Sequence, residues 1–153
     1  MCIRDSDRGV LPAYLHLGDA QAKQGDLPAA VGTWERAIGV SPDRAYLALA
    51  RLEQAYTSIG QDARFIALCQ SLTAASPREW RARAALARHL ANRAQPSRAL
   101  ELLFEALEHN PHALAIHQAI WGTLSELDLP RQLVAHYVEI TRQSVFYLSL
   151  IHI

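Results

Sequence analysis

Three histidines lie close enough in sequence to raise the question of a metal or an acid–base centre. His109 and His112 flank Asn110-Pro111, and His117 follows about one helical turn further on. A metal site needs three or four converging donors, with further groups orienting the rings. Glu108 is the one carboxylate nearby, and the Asn-Pro turn divides the group between two helices. These residues therefore read as solvated loop histidines, and no metal is expected. His16, His89 and His136 sit among apolar neighbours and read as packing residues. Cys69 has no histidine or lysine near it in sequence to lower its pKa, and a nucleophile needs a base within hydrogen-bond reach. It reads as a small buried hydrophobe. Neither catalysis nor a cofactor is expected of this chain.

Arginine offers the other chemistry. Arg78, Arg81, Arg83, Arg88, Arg93 and Arg98 crowd one stretch, and Arg81 and Arg88 are seven apart, on one helical face with Asn92. Guanidinium forks grip carboxylates bidentately, so this face suits an acidic or carboxylate-bearing protein segment. The plainer alternative is a solvated helix with Glu79 as a local partner. Asp19, Lys23, Gln54, Ser58, Gln118 and Glu126 complete the candidate partner-binding groove. Trp34, Trp80, Trp121 and Tyr137 fall at helical spacing and read as core or interface side chains.

The elements that must position these residues follow from punctuation. Ser41-Pro42, Ser76-Pro77 and Asn110-Pro111 recur at intervals of 35 and 34 residues. Serine and asparagine are good N-caps and proline suits the first helical position, so helices are expected from about 42, 77 and 111. Ser76 with Glu79 forms a capping-box pattern. Asp26-Leu27-Pro28, Gln95-Pro96 and Asp128-Leu129-Pro130 mark starts between them, with Gly60-Gln61-Asp62 in the matching place of the second unit. Gly25 and Gly60 suit left-handed C-terminal caps. Apolar residues recur three and four apart, as in Leu49, Leu52, Tyr56 and Ile59. Eight helices in four hairpins are expected: 12–24/27–40, 43–59/62–75, 78–93/96–109 and 112–127/130–143.

This pattern resembles the tetratricopeptide repeat, whose 34-residue signature runs Trp-x2-Leu-Gly-x2-Tyr, Ala-x3-Phe and Pro. Tyr14, Leu17-Gly18, Gln21, Ala30, Trp34, Ala37 and Pro42 fill the slots of the first unit. Leu49, Leu52-Glu53, Tyr56, Phe65, Cys69 and Pro77 follow, then Arg83, Leu86-Ala87, Leu90, Ala99, Leu103 and Pro111. The fourth set, His117, Ile120-Trp121, Leu124, Leu133 and Tyr137, departs most, since Trp121 stands where a small residue lets two helices approach. The resemblance implies an all-α superhelix, with units 11–42, 43–77, 78–111 and 112–143, whose first helices line a groove for protein partners. Leu15 and Asp19 stand at positions where chaperone-binding members carry a carboxylate clamp, so chaperone-tail binding is not expected.

Lys and Arg number 15 against 15 Asp and Glu, a formal net charge of zero. That balance gives no electrostatic case for nucleic acid or an anionic membrane. An RNA-reading helical repeat of similar period is further disfavoured by the lack of a repeated polar pair that could read bases. No apolar run reaches the roughly 18 residues of a membrane span. The two ends are expected to be foreign. One short DNA element, inverted, encodes both Met1–Ser6 and Leu148–Ile153, and it resembles a transposon end used in preparing sequencing libraries. Residues 7–147 are then expected to be an interior stretch of a longer reading frame.

Within the tetratricopeptide proteins, three phrases resemble the bacterial lipopolysaccharide assembly protein LapB group. They are Asp43-Arg44-Ala45-Tyr46, His117-Gln118-Ala119-Ile120-Trp121, and Tyr137-Val138-Glu139-Ile140-Thr141-Arg142 with Val145-Phe146-Tyr147. That resemblance implies a membrane anchor, a cytoplasmic repeat array and a zinc-binding module with two Cys-x-x-Cys pairs. It also implies an adaptor that brings the deacetylase of lipid A synthesis to a membrane protease. The anchor and zinc cysteines are not among these residues, so neither role falls on any of them. A repeat module of an unrelated secretion or regulatory assembly is the other reading.

Overall fold

Helix ends account for most of the architecture. The computed structural model describes residues 3–125 and, beyond them, positions 135, 138, 139 and 142. The described residues form seven α-helices: α1 (Ile3–Lys23), α2 (Leu27–Val40), α3 (Tyr46–Ser58), α4 (Asp62–Ala75), α5 (Trp80–Asn92), α6 (Pro96–His109) and α7 (Leu114–Ser125). Of the expected second helix of the fourth hairpin, 130–143, only positions 135, 138, 139 and 142 are described, each of them helical, and its Asp128-Leu129-Pro130 start lies outside the described residues. So do Glu126, Tyr137 and His136.

Three helices stop in the same way. The N–H groups of Asp26, Gln61 and Gln95 reach back to the carbonyls of Gln21, Tyr56 and Leu90 at 3.0, 2.8 and 2.9 Å. Just inside each, the N–H of Gly25, Gly60 or Ala94 bonds the carbonyl of Ala22, Thr57 or Ala91. This double bond pattern needs a left-handed residue, and φ is 86° at Gly25, 68° at Gly60 and 58° at Ala94. Both glycines stand where the sequence places them. Asp26 then caps α2 as expected, accepting from the Ala29 N–H at 3.1 Å.

The proline pairs keep the period but do not begin α-helices. The carbonyls of Ser41, Ser76 and Asn110 accept the N–H of Arg44, Glu79 and Ala113 at 3.0, 3.0 and 3.1 Å, so each pair opens a turn. Proline's fixed φ suits the second position of such a turn as well as a first helical turn, which is why the starts fall later, at 46, 80 and 114. The turn at Pro42–Arg44 is a short 3-10 helix, and Ser41 makes no side-chain cap there. The expected Ser76–Glu79 capping box is replaced by Glu79 itself, whose carboxylate accepts from the Arg81 N–H at 2.9 Å. At the other end α1 starts well before residue 12 and passes through Pro12. Proline's φ is itself helical, so the helix can continue at the loss of one N–H bond.

The chain divides into two compact units, residues 1–72 and 73–153, with the boundary inside α4. In the first, α1 and α2 form a close antiparallel hairpin and α2 packs against α3. Gly18 makes the hairpin possible: a Cβ there would lie 2.3 Å from the Trp34 Nε1. The buried Trp34 indole donates to the Leu15 carbonyl at 3.4 Å, and Ala30 and Ala37 are fully buried beside it on α2. Leu49, Leu52, Tyr56, Phe65 and Cys69 continue this core. In the second unit α5 and α6 form the hairpin, and α7 packs on both. Leu86, Leu90, Leu100, Leu103, Leu107, Ile116 and Ile120 are buried there. Trp121, at the slot for a small residue, stays 61% exposed. Burial of one leucine or isoleucine side chain contributes about 1.5–3 kcal/mol, so these repeated slots hold each unit together.

Candidate partner-binding faces

In the first unit the candidate face is carried by α1 and α3. Lys23, Gln54 and Ser58 are exposed there, and the Ser58 hydroxyl donates to the Gln54 carbonyl of its own helix at 2.8 Å. Asp19 is not an open carboxylate. Arg51, a residue that sequence reasoning missed, grips it with two donors, Nε to Oδ1 at 2.6 Å and Nη2 to Oδ2 at 3.0 Å. The Arg51 Nη1 also bonds the Leu47 carbonyl at 2.9 Å. The guanidinium hydrogen bond holds the Asp19 carboxyl below its usual pKa, against the opposing effect of burial, and Arg51 is raised in turn. The pair ties the first helices of two successive hairpins together across the face. Leu15, the other residue at a clamp position, is buried.

A second polar cluster in that unit spans three helices. Glu35 of α2 accepts the Tyr56 hydroxyl of α3 and pairs with Arg64 of α4 at 2.9 Å. The Arg64 guanidinium also lies 5.2 Å from the centroid of the Tyr56 ring. Burial first, then the Glu35 bond, push the Tyr56 phenol well above its ordinary pKa.

In the second unit the face is α5 with α7. Arg81, Arg88 and Asn92 are exposed along α5, and Gln118 is exposed on α7. The Arg81 Nη1 pairs with Glu79 at 2.9 Å and its guanidinium lies 5.4 Å from the Trp80 ring, so both local groups fix its direction. Arg83 departs from the surface reading of the arginine cluster. It is 7% exposed, its Nη1 donates to the Pro77 carbonyl, and its Nε stands 3.7 Å from Glu105. It occupies the slot that Tyr14 and Leu49 fill in the earlier units, and it serves to anchor the turn before its own helix. Two other sequence readings need correcting. His16 is exposed rather than packed, since α1 turns that position outward. Trp121 is likewise turned outward, because α7 packs through Ile116 and Ile120 instead.

His109 and His112 are exposed, and the His117 Nε2 lies 2.8 Å from the Pro111 carbonyl, to which it donates. Among the described residues no three His, Cys, Asp or Glu side chains converge as metal donors. Cys69 is completely buried, where a thiol packs as a small hydrophobe. No helix among the described residues is long and apolar enough to cross a membrane.

No protein-family model matches the chain, and no curated protein does either. Solved structures do. Residues 41 to the end of MamA from Desulfovibrio magneticus RS-1 superpose with a TM-score of 0.54 at 20% identity, over 88% of this chain and 76% of that one. A double mutant of MamA RS-1 gives 0.54 at 19%, over 91% and 78%. The Yersinia enterocolitica type III secretion chaperone SycD, in complex with a peptide of the translocator YopD, gives 0.54 at 16%, over 77% and 95%. These are tetratricopeptide-like helical repeat proteins. The likeness shows the fold: this chain is all-α, of the α-α superhelix class built from tetratricopeptide-like hairpins.

Proposed function

We propose that the chain is a protein-binding scaffold whose α5 face takes an acidic segment of a partner. The observation that carries this reading is the alignment of exposed Arg81, Arg88 and Asn92 along one side of α5, with Arg81 oriented by Glu79 and Trp80. Arginine forks suit carboxylates, and a rim of such pairs sets specificity and association rate more than raw affinity. A protein of the same fold, SycD, is seen holding a peptide, which supports a peptide as the kind of ligand. Lys23, Gln54 and Ser58 offer polar contacts on the first unit's face, while Asp19 serves there as a strut.

The test is binding of a fluorescein-labelled peptide of alternating Glu and Ala, read by anisotropy at low salt. The double variant Arg81→Glu/Arg88→Glu should weaken binding at least tenfold with an unchanged circular dichroism spectrum. Equal binding by the variant would remove the face from the proposal. The finer reading, an adaptor of the LapB type that brings a client to a membrane protease, rests on the sequence phrases around Tyr46, Trp121 and Tyr137. Its test is the reading frame of the parent gene: two Cys-x-x-Cys pairs soon after Tyr147 support it, and any other continuation removes it.

A further inference from the structure

The two helices of the α5–α6 hairpin expose opposite charge. Arg81, Arg88 and Asn92 are exposed along α5. On α6 the exposed residues Glu101, Glu105 and Glu108 follow at spacings of four and three, which puts three carboxylates on one stripe. Glu105 stands 3.7 Å from Arg83 of its own hairpin. Glu101 and Glu108 have no ion-pair partner among the described residues.

The two charge patterns share one length. Arg81 and Arg88 are seven residues apart, and so are Glu101 and Glu108. With the rise of an α-helix each pair spans about 10.5 Å, two turns. One helix laid along the other can therefore match both arginines with both glutamates at once. The position between them is compatible, since Glu105 falls opposite Ala84, a small side chain that leaves room for close approach. Charge at the end of the stripe sets the direction. Arg98 is exposed three residues before Glu101 on the same stripe. In an antiparallel pairing, with Glu108 at Arg81 and Glu101 at Arg88, Arg98 comes beside the neutral Asn92, whose amide oxygen can accept from it. In a parallel pairing Arg98 comes opposite Arg78, and like charges repel.

We infer that the acidic segment taken by the arginine face is the α6 stripe of a second copy of this chain, docked antiparallel along α5. The inference rests on the reading of α5 as an acid-binding face and gives that face its partner. Charge complementarity at matched spacing identifies the occupant, and each copy offers both one face and one stripe.

The experiment is sedimentation equilibrium of the full chain at low ionic strength and again at about 1 M salt, where the screening length is about 3 Å. The chain should self-associate at low salt and at least about tenfold more weakly at high salt. Arg81→Glu/Arg88→Glu and, separately, Glu101→Lys/Glu108→Lys should each weaken association by at least about tenfold with unchanged circular dichroism spectra. Mixed together, the two variants should associate again, because each carries the charges that the other's face and stripe need. Arg78→Glu should bring no gain, whereas tighter association would assign the parallel pairing and overturn the register. A chain that stays monomeric at low salt overturns the inference, and so does a mixture that fails to associate. Association that survives either charge reversal or high salt belongs to the exposed apolar side chains and also overturns it. Titration with the Glu–Ala peptide separates the two readings. A chain that binds the peptide yet stays monomeric keeps its arginine face and loses this partner, and a chain that does neither loses both.

Discussion

At the scale of single residues, two positions show how backbone and volume set the hairpins. Gly18 lies against the Trp34 ring, where a Cβ would stand 2.3 and 2.6 Å from Nε1 and Cδ1. Gly18→Ala gains about 1 kcal/mol of helix propensity, but overpacking a closed core costs about 1–3 kcal/mol. Trp34 is buried and its indole is held by the Leu15 carbonyl, so the clash should win. The variant should melt several degrees lower; an unchanged or higher melting point would mean that the ring can shift at no cost. Ala94 poses the reverse case. It adopts a left-handed φ of 58° that Gly25 and Gly60 supply in the other two caps. Ala94→Gly should therefore stabilise by about 0.5–1 kcal/mol despite a more flexible unfolded chain, while Gly60→Ala should destabilise by a comparable amount. Denaturant midpoints of the two variants should move in opposite directions.

Between elements, the polar ties join residues far apart in sequence, and this separates what could be read in advance from what could not. Glycine caps, the 34–35-residue period and the apolar slots are local signals, and they lead to the hairpins directly. The helix starts were misplaced because proline's geometry serves turn and helix equally. Ala94 gave no sign, since alanine is a helix former and only its neighbours force the left-handed turn. Arg51 was missed because its partner Asp19 lies 32 residues away, and nothing in the local pattern of either betrays the pair. Arg83 was read as surface charge, although the slot it fills is apolar in the units before it. The exposure of Arg81 and Arg88 on α5 was legible from a spacing of seven. The Glu35–Tyr56–Arg64 cluster was not legible, and it carries a pH signature. The Tyr56 phenol is raised above its unfolded value of about 10, so the stability it contributes is complete below that pH and is lost as pH rises toward the folded value. Tyr56→Phe should cost roughly 1–2 kcal/mol at neutral pH, the range of a hydrogen bond to a charged group that is partly exposed. It should also flatten the loss of stability measured between pH 10 and 12. Parallel curves for the variant and the original chain would show that the phenol's ionisation is unrelated to the alkaline loss.

For the molecule as a whole, charge balance decides behaviour in solution more than any one contact does. The formal net charge is zero and the isoelectric point is about 7.1, so near pH 7 little long-range repulsion separates copies of the chain. Leu17, Leu114 and Trp121 are exposed by half or more and offer apolar contact between copies when repulsion is weak. Moving away from the isoelectric point restores a net charge and with it repulsion between copies. Asp19, held lower by Arg51, keeps its charge further into acid and preserves the tie between α1 and α3. Its contribution to stability is present above its unfolded value and fades as pH falls through the lowered one, so pH 5.5 leaves it intact. Solubility should therefore be lowest near pH 7 and recover at both pH 5.5 and pH 9. Light scattering at low ionic strength, with the second virial coefficient measured at the three pH values, reads this directly. A minimum well away from neutrality would show that the exposed apolar side chains govern association whatever the net charge.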